Sequence, residues 1–148
     1  MRLVEKEQLD LHTPVKSYTD VYPHSAAHVT MHQLLSHTSG LPDYHGLSSY
    51  CQFKDRRYSS EEFLELFLQL PLLAEPGTQY NYSGVGYALA GVVLEKITKQ
   101  PLQELLETEF FAPLGMDSTA LPYHGHISDL QMHSKTYRLA CGYKTEIH

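Results

Sequence analysis

The stretch EPGTQYNYSGVGYALAG, Glu75 to Gly91, decides how the rest of this chain is read. Pro76 and Gly77 make a turn, Tyr80, Tyr82 and Tyr87 follow at close intervals, and Gly84 and Gly86 stand where a helix is about to begin. Beyond them GYALAGVVLEKITK is apolar on nearly every side until Glu95. A helix without a polar face has to be covered on several sides. The pattern therefore predicts a buried helix from Gly86 to Ile97, entered through a turn that carries tyrosines.

Working outward, the partners for that helix are short. Ser59 followed by Glu62 fits a capping box, with Phe63, Leu66, Phe67 and Leu70 at helical spacing behind it. Pro71 stops that helix. Thr30 is an N-cap candidate for MHQLLSHTSG, with Met31, Leu34 and Leu35 as its apolar face and Gly40 as its end. Leu3, Val4 and Leu9 look like the last turns of another helix, and LDLHTPVKSY reads as an extended connection in which Pro14 holds Thr13 out of the helical region. After the central helix, Pro101 opens PLQELLETEFF, with Leu102, Leu105, Leu106, Glu109 and Phe110 at intervals of three or four, and APLGMDST breaks it. Residues 120–148 form a poorly defined tail with no confident strand. The count is four or five short helices and almost no sheet. One-sided helices cannot cover an all-round apolar one alone, so the expected architecture is mostly α, the helical lobe of a larger α+β protein.

Composition narrows the function classes. The chain has 148 residues, 42% of them hydrophobic, and a formal net charge of −6. Lys54, Arg56 and Arg57 form the only local positive patch, which argues against a nucleic-acid partner. No apolar run is long enough to span a bilayer, and MRLVEKEQLDL is too charged for the apolar part of a signal peptide. Cys51 and Cys141 could pair in principle, but two cysteines do not make a disulfide framework.

Chemistry could come from three residue types. A serine needs an adjacent base and oxyanion donors to attack a carbonyl. Ser36 precedes His37 directly, yet neighbours on a helix do not face each other, and nothing resembles Gly-x-Ser-x-Gly. Ser36 and Ser39 are better read as helix-end and turn hydroxyls. Among the 10 histidines, His24, His28 and His32 are four apart, but Pro23 and the Val29-Thr30 pair argue against a shared helix. His124, His126, Asp129 and His133 have a spacing a metal could use. No His-Glu-x-x-His accompanies them, so scattered loop histidines explain them better and no metal or other cofactor is expected. Tyr82 is the better candidate. An ordinary phenol loses its proton at about pH 10, so a tyrosine base needs a neighbouring cation or a proton relay. The nearest lysines in sequence, Lys96 and Lys99, lie on the following helix. The competing reading is a tyrosine packed on the glycine turn with its hydroxyl bound to backbone.

Here the pattern becomes familiar. VTMHQLLSHTSGLPDY resembles the segment before the second active-site box of the class C beta-lactamase and penicillin-binding-protein family of serine hydrolases, which also includes D-alanyl-D-alanine carboxypeptidases and esterases. EPGTQYNYSGVGYALAGVVLEKITKQPLQELLETEFFAPLGMDST resembles its continuation. With LDLHTPVKSY the resemblance covers most of Leu3 to Thr119, and YRLACGY is a fainter echo. The family works through three boxes. A Ser-x-x-Lys serine forms the acyl-enzyme, a Tyr-x-Asn tyrosine acts as general base and acid while its asparagine binds substrate, and a Lys-Thr-Gly or His-Thr-Gly strand lies beside the nucleophile. The resemblance places Tyr82 at the tyrosine of the second box, Ser83 at its middle position, and Gly84 where the asparagine stands.

The departures matter as much. Gly84 has no side chain to offer a hydrogen bond. No lysine has a serine three residues before it, and the resemblance places the Ser-x-x-Lys helix before Met1. KTE at Lys144 to Glu146 comes too soon after Tyr82 to be the third box, and HTSG at His37 to Gly40 belongs to the approach segment. Residues 1–148 thus read as a partial domain whose main sheet is largely missing, with no nucleophile of its own. A small amide or ester is its expected substrate only if the site is completed, and self-association through exposed apolar surface is expected. Two other accounts stay open: a non-catalytic remnant or interaction module, and a metal-dependent hydrolase using the histidine-rich tail. The glycines would let the tyrosine turn face a cleft while Gly86 and Gly91 allow close helix packing.

Overall fold

The helix after the tyrosine turn, Gly84–Thr98 in the computed structural model, organises everything around it. The structure describes residues 1–22, 28–44, 58–117 and 119. Within them α1 is Arg2–Glu5, α2 Met31–Leu35, α3 Ser60–Leu68, α4 Gly84–Thr98 and α5 Leu102–Leu106. A 3-10 turn covers Val15–Ser17, and α5 runs into a π-helical turn at Glu107–Phe111. The only β pairing among the described residues is an isolated antiparallel bridge between Pro14 and Thr30. The chain is mostly helical, as its sequence predicts, and the described residues contain no sheet.

The chain divides into two compact units, residues 1–102 and 103–148. In the first, α2 and α3 both pack on α4. Val85, Leu89, Ala90, Val92 and Val93 of α4 are buried together with Leu34, Leu64, Phe67, Met31, Val15, Val29 and Leu41. Fully burying such a side chain is worth about 1.5–3 kcal/mol each. The all-round apolar pattern of α4 is explained by this double coverage. The helix begins two residues earlier than Gly86, because the Ser83 hydroxyl accepts the Gly86 N–H at 3.0 Å and acts as N-cap.

The other start signals hold. Ser59 and Glu62 form a complete capping box at α3, and Thr30 with Gln33 forms one at α2 that the sequence pattern signals only as an N-cap. The helix faces are rotated from expectation. Leu64 and Phe67 face the core while Leu66 is exposed, and Leu35 points outward beside buried Leu34. LDLHTPVKSY is not the extended connection expected: the chain turns at Leu11 and His12, where the Asp10 carboxylate accepts the His12 N–H at 2.9 Å, and after Pro14 the Val15 N–H donates to the Val29 carbonyl at 2.8 Å. After α4, α5 is shorter than PLQELLETEFF suggests, and Phe110 is exposed within the π-helical turn.

The end of α2 departs most from expectation, because the helix stops at Leu35 and His37, not Gly40, turns the chain with φ +57°. The segment that follows runs alongside the approach to α4. Thr38 and Gly40 carbonyls accept the Gly77 and Leu73 N–H groups at 2.7 and 2.8 Å, and the His37 carbonyl accepts Asn81 N–H at 2.8 Å. At Gly40, φ is +76° and a Cβ would run into the Ala74 carbonyl oxygen, so only glycine suits this crossing. Gly86 and Gly91 are not the close contacts the sequence suggests. A Cβ there would sit in ordinary contact, 3.6 Å from Leu34 and 3.4 Å from Leu102.

Candidate active site

The tyrosine turn is built by the two strips just described, one leaving α2 and one entering α4. Residues 37–44 supply the holding groups and residues 80–87 are what they hold. The His37 carbonyl takes the Asn81 N–H, and the His37 Nδ1 takes the Ser83 N–H at 3.2 Å. The Ser83 hydroxyl is buried; it donates to the Pro42 carbonyl at 3.0 Å while capping α4. The Asp43 carboxylate accepts the Gly84 N–H at 2.8 Å. Three of the four amides from Asn81 to Gly84, all but that of Tyr82, are thus assigned to residues more than forty positions earlier in the chain.

Tyr82 itself points outward and is 59% exposed. Its ring lies 4.6 Å from the His37 imidazole, tilted by 37°. Tyr87 stacks on the same imidazole at 5.0 Å and Tyr80 meets it edge-on at 5.8 Å. The Tyr87 hydroxyl donates to the Leu35 carbonyl at 3.1 Å, tying α4 back to the end of α2. The sequence's bland reading, a phenol tucked onto the glycine turn, fits Tyr87 better than Tyr82.

Gly84 sits in the first turn of α4, and its missing side chain is accounted for. A Cβ at this position would stand 2.5 Å from Tyr44 Cε1 and 3.3 Å from the Asp43 carboxylate. The Tyr44 ring is itself braced edge-on by Phe63 at 5.8 Å, and Phe63 contacts Phe67 at 5.0 Å. The space an asparagine would need is therefore filled by an aromatic ring anchored to α3.

The lysines on α4 do not serve Tyr82. Lys96 is twelve residues beyond the helix start, about 18 Å along the axis, and its ammonium pairs with Glu61 at 2.6 Å. The Glu61 hydrogen bond raises the Lys96 pKa above its ordinary value. Lys99 takes a left-handed conformation as the C-cap of α4. Ser36 donates to the His32 carbonyl at 2.8 Å, and the buried Ser39 hydroxyl accepts the Leu41 N–H at 3.3 Å, which are the helix-end and turn roles expected of them. His32 stacks on His12 at 5.3 Å. No group of three or more metal-ligating side chains occurs among the described residues. His24, Cys51, Lys54, Arg56 and Arg57, together with Cys141, His124, His126, Asp129, His133 and Lys144–Glu146, lie outside the described residues. No described helix is long and apolar enough to cross a membrane.

His37, Pro42, Asp43 and Tyr44 are the site residues that sequence patterns passed over. One signal was present: a histidine stood where the helix pattern stopped, in front of two hydroxyl residues and a glycine.

The family profile described as Beta-lactamase matches residues 1–141. The chain is 30% identical over 128 residues to N-acetylmuramyl-L-alanine amidase of Bacillus subtilis (strain 168), a match covering 80% of this chain and 29% of that protein. It is similar to the crystal structure of a penicillin binding protein from Bacillus halodurans, with TM-score 0.66 and 33% identity over 77% of this chain and 35% of the other. It is also similar to D-amino acid amidase from Ochrobactrum anthropi SV3, with TM-score 0.72 and 31% identity over 84% and 36% of the two chains. The chain spans about a third of the length of these relatives.

Proposed function

This chain belongs to the beta-lactamase family of serine hydrolases, and from that premise we propose that it supplies the helical lobe and second catalytic box of an enzyme that cleaves an amide or ester through a serine acyl-enzyme. Tyr82 is the general base and acid of that site. The observation that carries this reading is the exposed phenol on a turn whose flanking amides are both fixed; the sequence resemblance puts the family's tyrosine at this position. A general base has to meet its proton in a set geometry, and a turn tied on both sides of one residue provides it.

The positions after Tyr82 have different roles. Ser83 is a strut, since its hydroxyl is spent on Pro42 and Gly86. Gly84 brings no hydrogen-bonding side chain to substrate, so the substrate contact the family makes there is absent or made by another group. Because these 148 residues contain no Ser-x-x-Lys, they do not form an acyl-enzyme by themselves. The phenol's proton passes to and from a serine only when such a helix is present.

The test is a hybrid in which residues 3–119 replace the matching segment of the Bacillus halodurans penicillin binding protein. Mass spectrometry after reaction with an activated ester should show one acyl group on the hybrid's Ser-x-x-Lys serine, and none on the untouched 148-residue chain. A folded hybrid that never acylates overturns the proposal. So does serine-dependent turnover by the untouched chain.

Gly84 also favours a second reading, a non-catalytic interaction module, because the Tyr44 ring closes off the asparagine's place. A folded but inert hybrid is the result this reading expects. Exposed Leu35, Leu66, Leu73 and Tyr80 support self-association of the free chain, which sedimentation would detect as a species heavier than 16.9 kDa.

A further inference from the structure

Residue 37 has a backbone conformation that few residues with a side chain adopt, histidine being among those that do. The position has φ +57°, where asparagine or glycine is easier to accommodate than an ordinary side chain. The ring is in contact with three tyrosines, and one of its nitrogens has a defined task. An amide N–H can only donate, so the Ser83 N–H at 3.2 Å requires a bare Nδ1. A neutral imidazole with a bare Nδ1 carries its proton on Nε2. The carbonyl of the same residue takes the Asn81 N–H. One residue thus binds the amides immediately before and after Tyr82, and its ring lies against the phenol held between them.

We propose that His37 is the positioning residue of this site: in its Nε2–H tautomer it clasps the peptide on both sides of Tyr82 and so aims the phenol. The inference rests on the reading of Tyr82 as the proton-transfer group. Protonating the imidazole places a hydrogen on Nδ1 facing the Ser83 N–H, donor against donor, and opens that half of the clasp. The carbonyl half survives, so Tyr82 gains freedom at one end while α4 stays capped by Ser83. The titratable groups against the ring are the phenols of Tyr80, Tyr82 and Tyr87. Asp43 holds the next amide along, that of Gly84, and on α2 the His32 ring is stacked on His12.

The clasp predicts a substitution pattern that packing alone does not. Asparagine tolerates the left-handed backbone and offers Oδ1 close to where Nδ1 stood, with no titration. Glycine tolerates the same backbone and offers no acceptor. Both remove the ring, so they differ in the clasp itself.

Long-range proton–nitrogen correlation on the full 148-residue chain reads the tautomer directly. The expected result is a bare Nδ1 on His37, with the Ser83 amide and the Tyr82 ring signals moving together as His37 is protonated. In His37→Asn the Ser83 amide stays protected and no longer follows pH, whereas in His37→Gly it exchanges freely. A proton on Nδ1 in the neutral ring, or Tyr82 signals indifferent to the titration, overturns the clasp. The acylating hybrid supplies the second readout. There, His37→Gly should lower acylation by about 10- to 100-fold, and His37→Asn should recover most of it. Equal rates and equal pH profiles for His37, Asn and Gly overturn the clasp even if every variant is soluble. Tyr82→Phe separates the two claims: if it leaves acylation unchanged, the reading of Tyr82 fails whatever the tautomer of His37.

Discussion

The first turn of α4 and its body are held by different forces. At the start, His37, Pro42, Asp43 and Ser83 bind individual amides and carbonyls at 2.8 to 3.2 Å. Along the body, Leu89, Val92 and Val93 are buried among side chains that include Leu34, Leu64 and Phe67. Hydrogen bonds are directional and fix an orientation; apolar burial is non-directional and scales with area. The fold should therefore be damaged most through the body, and the direction of Tyr82 through the start. A turn assembled from residues forty positions apart can be precise while adding little to stability, because each exchanged hydrogen bond is worth only about 0.5–1.5 kcal/mol net.

The largest effect on stability is expected from Phe67→Ala. It empties a fully buried site where α3 meets α4, and such truncations cost about 3–5 kcal/mol. Urea unfolding followed by helical circular dichroism measures it. A loss below about 1 kcal/mol would mean that α4 is not sealed by α3.

Gly84→Asn comes next and crosses from one region to the other. Its φ is outside the left-handed range, so the obstacle is the Tyr44 ring rather than the backbone. Forcing that ring aside should cost about 1–3 kcal/mol, and Gly84→Asn with Tyr44→Ala should recover part of it. Additive losses in the two-residue cycle would show that Tyr44 does not fill the asparagine's space.

Ser59→Ala should remove about 1 kcal/mol through the lost cap of α3, leaving the tyrosine turn untouched. The smallest effect is a pH slope. The Ser59 N–H, helped by its hydroxyl, holds the Glu62 carboxyl below the usual range. A depressed folded-state value means the bond contributes fully above the unfolded carboxyl's pKa and is lost as pH falls through the folded one. Glu62→Gln should flatten that part of the acid-side slope in unfolding midpoints. The remaining slope includes Asp10, whose carboxyl is lowered first by the His12 N–H and then by the Thr13 hydroxyl.

The body of α4 was legible in the sequence because burial leaves a local pattern. Val85 to Val93 is apolar in every direction, and Ser59 with Glu62 announces α3 within four residues. The rotated faces at Leu66 and Leu35 were not legible, since a helix rich in leucine has several equivalent stripes and only the partner selects one. Tyr82 was singled out through its motif register, but its setting was not legible. His37 reaches Ser83 across 46 residues, Asp43 reaches Gly84 across 41, and nothing in either local pattern encodes the other. The end of α2 was misplaced for a related reason. Gly40 is the familiar helix stop, yet its positive φ serves the crossing with Ala74, and the chain turns at His37, whose carbonyl and ring hold the Asn81 and Ser83 amides.

One measurement tests the central claim most directly: the rate of acyl-enzyme formation by the hybrid carrying residues 3–119, compared with its Tyr82→Phe form. Tyr82→Phe keeps the ring beside His37 and removes only the hydroxyl. The account predicts a fall on the order of 100-fold or more, with the urea midpoint unchanged within error. Equal acylation rates in two equally stable proteins would contradict it.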